Sequence, residues 1–121
     1  MKDPAIQQDI QSTYDLANKL AISGTPSYVL GDEVVFYKIG LELCMSRGYF
    51  ERLAWLNERG KKVFADLKFF DVPETVASAV RALKKHRPAF VTVHGNDAIL
   101  EAACREKGDM RVLAVTVLTS L

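Results

Sequence analysis

The sequence has few cysteines, and their placement excludes the usual cysteine-based sites. Cys44 and Cys104 are the two cysteines among 121 residues, and no CxxC pair is present. The chain therefore has no dithiol redox centre, and no histidine stands at zinc-ligand spacing from either thiol. We expect two buried free thiols, as in a cytoplasmic protein.

The sequence also has no long apolar run and no excess of one charge. No stretch approaches the roughly 20 apolar residues of a membrane-spanning helix, and the N-terminus lacks the apolar core of a signal peptide. Lysine plus arginine number 16 against 15 for aspartate plus glutamate. Neither a nucleic acid nor a membrane is therefore expected as a partner.

The N-terminal third predicts a helix followed by a β-hairpin. Apolar residues recur at three- and four-residue steps over residues 4–21, namely Ile6, Ile10, Tyr14, Ala17 and Leu20. Gly24 and Pro26 end that helix. Two β-rich runs, residues 27–30 and 33–40, then flank Gly31-Asp32, which is typical of a hairpin.

Strands and helices alternate along the rest of the chain. Strands are predicted over 34–40, 62–69, 90–94 and 111–118, and helices over 49–58, 73–86 and 97–107. Such alternation predicts parallel strands with right-handed crossovers. We expect one α/β domain over residues 1–121, with four parallel strands extended by an antiparallel N-terminal strand. A complete (β/α)8 barrel would need about 200 residues or more.

Side-chain alternation along these strands predicts one apolar and one polar face. The polar face collects Lys38, Asp66, Lys68, Thr92, His94 and Thr116. An aspartate and a lysine side by side form either a structural ion pair on an exposed face or an active site at the carboxyl ends of barrel strands. His94 alone is interpreted as a hydrogen-bonded structural residue.

The run DLKFFDVPET, Asp66 to Thr75, resembles the D-x-K-x-x-D-[IV]-P-x-T signature of orotidine 5'-phosphate decarboxylase. Three further segments resemble neighbouring strands of that family, in the same order: YKIGLEL at 37–43, VTVHG at 91–95 and LAVTVLTS at 113–120. Residues from about 33 to 121 are thus expected to form part of a (β/α)8 barrel.

The resemblance implies roles for particular residues. It assigns the catalytic lysine–aspartate network to Lys38, Asp66, Lys68 and Asp71. The Asp66-like carboxylate would lie against the departing carboxylate, and the Lys68-like ammonium would protonate the carbanionic carbon. The resemblance further implies conversion of a pyrimidine nucleotide, orotidine 5'-monophosphate, to UMP, with neither a metal nor an organic cofactor.

Substrate-binding roles are likewise implied for Thr75, Thr119 and Ser120. In the family, the residues matching Asp71 and Thr75 reach across a dimer interface. A partial barrel would also leave a large inner face exposed, which favours association. We therefore expect a homodimer or a larger assembly.

Two departures from the family lower the expected activity. Residues from about 5 to 36 resemble the end of a DsbA-type thioredoxin-like domain, a family in which the proline matching Pro26 follows a cis peptide bond. The chain is therefore interpreted as a chimera joined near residues 33–36. Strands six to eight, which bind phosphate in the family, have no counterpart. We expect a fragment without significant turnover; the alternatives are an active decarboxylase and a thioredoxin-like binding or redox module, which the absent CxxC disfavours.

Overall fold

The computed structural model describes the backbone of residues 27–30 and 33–118, and the side chains of residues 36–118. The predicted N-terminal helix and the Thr25–Pro26 peptide bond lie outside these residues. The described elements, in chain order, are β1 Ser27–Leu30, β2 Glu33–Gly40, α1 Leu41–Cys44, α2 Tyr49–Glu58, β3 Lys62–Phe69, α3 Pro73–Lys84, β4 Phe90–His94, α4 Asp97–Glu106 and β5 Arg111–Val115.

The five strands form one sheet in the order of the sequence. β1 pairs with β2 in antiparallel fashion, and β2, β3, β4 and β5 pair in parallel. The predicted hairpin and the predicted α/β class are therefore both confirmed. Each parallel crossover returns the chain to the position beside the strand it has just left.

Two predicted elements end more than one residue early, the helix predicted to Lys107 ends at Glu106, and one further helix is present. The helix predicted to His86 ends at Lys84, because the chain turns at Arg87, whose φ is 55°. The last strand was predicted to Leu118 but pairs only as far as Val115, because its partner strand ends at His94. The short helix α1 was not predicted, since four residues show no recognisable period.

One face of the sheet is apolar and packs against the helices. Its buried strand residues are Tyr37, Ile39, Val63, Ala65, Leu67, Val91 and Val93. The helices contribute Leu53, Leu56, Val76, Val80, Ile99 and Ala103 to the same core. Each fully buried leucine or valine stabilises the fold by roughly 1.5–3 kcal/mol through burial. The predicted apolar face is confirmed.

Both cysteines carry free thiols, but neither is fully buried. Cys44 is half-buried, and Cys104 is exposed because the buried side of α4 is formed by Ile99, Ala102 and Ala103. The expectation of two buried thiols is therefore wrong. In the part of the chain that the structure describes, no helix has the length and apolar character needed to cross a membrane.

Candidate active site

The polar face of the sheet divides into an aromatic zone and a charged zone. Towards the amino ends of the strands, an apolar cavity of about 280 Å³ is lined by Phe36, Phe64, Phe90 and Leu113. Two residues further along each strand, towards the carboxyl ends, lie Lys38, Asp66 and Thr92. Alternation places each charged or hydroxyl residue two positions after a phenylalanine of the same strand. The charged zone therefore lies directly beside the apolar surface that the aromatic zone forms.

Asp66 is the centre of the charged zone and is only 6% exposed. Its carboxylate accepts hydrogen bonds from three side chains. Lys38 Nζ lies 2.9 Å from Oδ2, and Lys68 Nζ lies 2.9 Å from each oxygen. Thr92 donates its hydroxyl to Oδ1 at 2.8 Å. A buried carboxylate is costly unless it is paired and hydrogen-bonded, and here both conditions are met.

The two lysines are considerably more open than the carboxylate between them. The Lys38 side chain is 31% exposed and the Lys68 side chain 43%, against 7% for Asp66. The charged zone therefore has a buried anion and two cations that border solvent. A ligand that approaches the carboxyl edge of the sheet meets ammonium groups first.

The pKa of the Asp66 carboxyl lies below its ordinary value. Burial acts in the opposite direction, but hydrogen bonds from Lys68, Lys38 and Thr92 outweigh it, with further help from the charge of Lys38. Asp66 is consequently ionised at neutral pH. On the opposite face, burial raises the pKa of Tyr49, whose hydroxyl donates to the Ile39 carbonyl, so this phenol stays neutral.

Lys68 reaches Asp66 through an irregular backbone. Its φ of 48° is left-handed, a conformation that non-glycine residues adopt rarely. The pairing between β3 and β4 shifts register at the same place, between Ala65 and Phe69. Strand alternation predicts that Asp66 and Lys68 share a face, and they do, but the bulge that joins them has no sequence signature.

The remaining predicted site residues lie apart from this cluster or outside the described residues. Asp71 is exposed, and its Oδ1 accepts a hydrogen bond of 2.7 Å from the Val72 N–H. Within residues 36–118, no ion pair joins Asp71 to Lys38 or Lys68. Thr75 is exposed in the first turn of α3. Thr119 and Ser120 lie outside the described residues.

Two residues of β4 need a revised interpretation. The sequence predicts Thr92 on the polar face but gives it no role in the site; in the structure Thr92 is buried and its hydroxyl is hydrogen-bonded to Asp66. The signal in the sequence that could have indicated this bond is a threonine on a central strand, level with an aspartate of the neighbouring strand. His94 lies against Phe70, with ring centroids 5.2 Å apart. Its Nδ1 is buried without a hydrogen-bond partner in the described part of the chain, contrary to the prediction for His94.

The arrangement can stabilise negative charge and deliver a proton. Two preorganised ammonium groups beside a ligand would lower the energy of an anion that develops between them. A lysine within hydrogen-bond reach of that anion can act as its general acid. Among the described residues, no group of three histidine, cysteine, aspartate or glutamate side chains could hold a metal ion.

A sequence model described as the orotidine 5'-phosphate decarboxylase / HUMPS family matches residues 28–121. Orotidine 5'-phosphate decarboxylase from Methylococcus capsulatus is 64% identical over 92 residues, which are 76% of this chain and 38% of that protein. The namesake from Xanthomonas campestris pv. campestris is 55% identical over 94 residues, covering 76% of this chain and 39% of that protein. This chain thus spans under two fifths of these relatives.

Solved structures give the same fold. The crystal structure of orotidine 5'-phosphate decarboxylase from Lactobacillus acidophilus matches with a TM-score of 0.66 and 32% identity, over 88% of this chain and 49% of that one. An uncharacterized conserved protein from Geobacillus kaustophilus matches with a TM-score of 0.68 and 34% identity, over 92% and 51%. The described sheet and helices are therefore part of a (β/α)8-barrel fold.

The matched range also bears on the second resemblance. It begins at residue 28 and so includes residues 28–36, which had been assigned to the thioredoxin-like segment. The comparisons give no support to that segment or to a chimeric origin. Both stay predictions that concern mainly residues outside the described part of the chain.

Proposed function

The chain belongs to the orotidine 5'-phosphate decarboxylase / HUMPS family, and from this premise we propose that Lys38, Asp66 and Lys68 are the decarboxylating group of an active site for orotidine 5'-monophosphate. The observation that carries the proposal is the buried Asp66 carboxylate, held 2.9 Å from each of two half-open ammonium groups. The names of the relatives at 64% and 55% identity favour decarboxylation over the second activity in the family name.

Each residue then has a chemical task. The substrate carboxylate approaches the ionised Asp66 from the solvent side, between the two lysines. Its bond to the pyrimidine carbon breaks, the electron pair stays on that carbon, and CO2 leaves. Lys68 donates an Nζ proton to the carbanion and becomes a neutral amine, which solvent reprotonates. Lys38 keeps Asp66 ionised and adds positive charge beside the developing anion.

Asp71 and Thr75 belong to a second part of the proposal, in which the protein acts as a homodimer. Asp71 stands between two exposed apolar side chains, Phe70 at 69% and Val72 at 62% exposure. Large exposed apolar side chains beside polar ones are typical of association surfaces. In this arrangement Asp71 and Thr75 reach the partner's substrate, while Thr119 and Ser120 contact the pyrimidine.

The 121 residues by themselves are expected to turn over little or no substrate. The relatives are more than twice as long as the matched segment, which spans 38–39% of them. By the family resemblance, phosphate binding belongs to strands six to eight, and binding energy from a non-reacting part of a substrate is what many enzymes use to lower the barrier. An active decarboxylase is the alternative.

Binding and turnover can be tested separately. We expect millimolar orotidine 5'-monophosphate to shift the side-chain NMR signals of Lys38 and Lys68. The signal of Lys85, just beyond the far end of α3, should stay in place. Absence of any shift at the two cluster lysines would overturn the proposed site.

Turnover is followed as loss of the orotate absorbance, with Lys68→Ala and the control Lys85→Ala. In the unmodified chain and in both variants, we expect the orotate absorbance to fall no faster than in buffer alone. Turnover that Lys68→Ala abolishes and Lys85→Ala retains would establish the active alternative, with the same site residues.

A further inference from the structure

The bulge in β3 leaves one backbone group without its normal partner. Ala65 pairs with Val91 and Phe69 pairs with Val93, so three residues of β3 face the single residue Thr92 of β4. In a regular parallel ladder, each inward N–H donates to a backbone carbonyl of the next strand. At the bulge, the Lys68 N–H instead donates to Thr92 Oγ1 at 3.0 Å. The threonine hydroxyl thus replaces a ladder acceptor.

The same hydroxyl is bonded on its other side to Asp66. Thr92 Oγ1 donates to Asp66 Oδ1 at 2.8 Å, and Thr92 is 6% exposed. Both directions are chemically fixed, because a backbone N–H can only donate and an ionised carboxylate can only accept. The hydroxyl therefore has one orientation. The β-branched side chain of Thr92 has few rotamers that place the hydroxyl in that orientation.

We propose that Thr92 is a positioning residue: its hydroxyl holds the bulge in the conformation that directs the Lys68 ammonium at Asp66. Without the hydroxyl, the left-handed Lys68 backbone loses the acceptor of its N–H on β4, and Asp66 loses its hydroxyl donor. Only the role of Lys68 as a proton donor rests on the proposed function. The geometric part of the proposal concerns Thr92, Lys68 and Asp66 alone and does not depend on that function.

The test compares Thr92→Val, which keeps the β-branched shape without a hydroxyl, with Thr92→Ser, which keeps the hydroxyl. Two readouts follow by NMR in the unliganded chain: hydrogen exchange of the Lys68 amide and titration of the Asp66 side-chain carboxyl. In Thr92→Val we expect Lys68 exchange to rise about tenfold, as for one lost hydrogen bond, and the Asp66 midpoint to move to higher pH. Thr92→Ser should resemble the unmodified chain in both.

An unchanged Lys68 amide and an unchanged Asp66 titration in Thr92→Val would overturn the proposal. If Thr92→Val does not fold, Thr92→Ala against Thr92→Ser makes the same comparison, since only the serine retains the hydroxyl. Failure of the proposed function is distinguishable. It would leave both Thr92 effects intact while orotidine 5'-monophosphate shifts no lysine signal, whereas failure of Thr92 as a positioning residue would leave the ligand-induced shifts intact.

Discussion

The Lys68 ammonium lies 2.9 Å from both oxygens of the Asp66 carboxylate, although the two residues are only two positions apart on one strand. In a regular strand, such side chains stand side by side, about 7 Å apart at their Cα atoms. Lys68 departs from the regular strand with a left-handed φ of 48°, where the pairing of β3 with β4 also shifts register. Backbone strain is thus located at the residue whose ammonium contacts the carboxylate.

Replacement of Asp66 by asparagine should destabilise the fold by about 1–3 kcal/mol. The neutral amide no longer attracts the two ammonium groups that are hydrogen-bonded to the buried carboxylate. The cost stays below that of a fully buried ion pair, since both lysines border solvent and can turn towards water. Urea denaturation measures the change. Asp109→Asn, at an exposed turn residue, is the matched control and should lie within about 0.5 kcal/mol of the unmodified chain. An Asp66→Asn variant as stable as Asp109→Asn would contradict the buried, bonded carboxylate.

The low pKa of Asp66 also predicts how stability depends on pH. The folded-state pKa lies below the unfolded one, so the unfolded chain binds the proton first as pH falls. The stabilisation by Asp66 is therefore complete above the unfolded pKa of about 3.9 and is lost as pH falls through the folded pKa. The difference in unfolding free energy between the unmodified chain and Asp66→Asn should be constant from pH 7 to 5 and shrink below about pH 4. A difference that grows on acidification would refute the direction of the shift.

Strain at Lys68 predicts different stabilities for two variants that both lack the ammonium. Glycine adopts a φ of 48° freely, whereas alanine pays a steric cost there. Lys68→Gly should therefore be more stable than Lys68→Ala by about 1 kcal/mol in urea denaturation. At a regular strand position the order would be reversed, which makes exposed Lys62 of the same strand the control site. Equal stability of the two Lys68 variants would mean that the left-handed backbone is absent in solution.

The sequence was sufficient to predict the order of the strands and the three longer helices, the hairpin, the apolar face and the grouping of Lys38 with Asp66 and Lys68. All of these follow from alternation and from the spacing of glycine and proline, which are local signals. The bulge at Lys68 and the role of Thr92 could not be predicted, because they depend on how β3 and β4 align although Lys68 and Thr92 are 24 positions apart in the sequence.

Two glycines with positive φ should respond differently to alanine. A Cβ at Gly95, where φ is 134°, would lie 2.6 Å from Ile99 Cδ1, whose side chain is buried under α4. A Cβ at Gly60, where φ is 71°, meets nothing within 4 Å. Gly60→Ala should therefore cost about 1 kcal/mol from backbone strain alone, and Gly95→Ala about 1–3 kcal/mol more from overpacking. Thermal or urea denaturation of the two variants measures these costs. Equal costs would show that the Gly95 turn relaxes without moving Ile99.

Association is the last expectation, and Val72 offers a clean way to test it. Val72 is 62% exposed beside Phe70 and Asp71, and it is the N-cap of α3, with φ −59° and ψ 151°. Aspartate is a favoured N-cap residue, so Val72→Asp should preserve or improve α3 while placing a charge in the proposed dimer surface.

Sedimentation equilibrium across a concentration series should give the unmodified chain a mass above 13.5 kDa and move Val72→Asp towards that value. Ala54→Asp, an exposed change on α2, adds the same charge elsewhere and should leave association unchanged. A lone 13.5 kDa species for the unmodified chain at high micromolar concentration would refute the dimer. Equal weakening by Val72→Asp and Ala54→Asp would instead show that net charge, not this surface, controls association, because a charge at a specific interface acts only where the two surfaces meet.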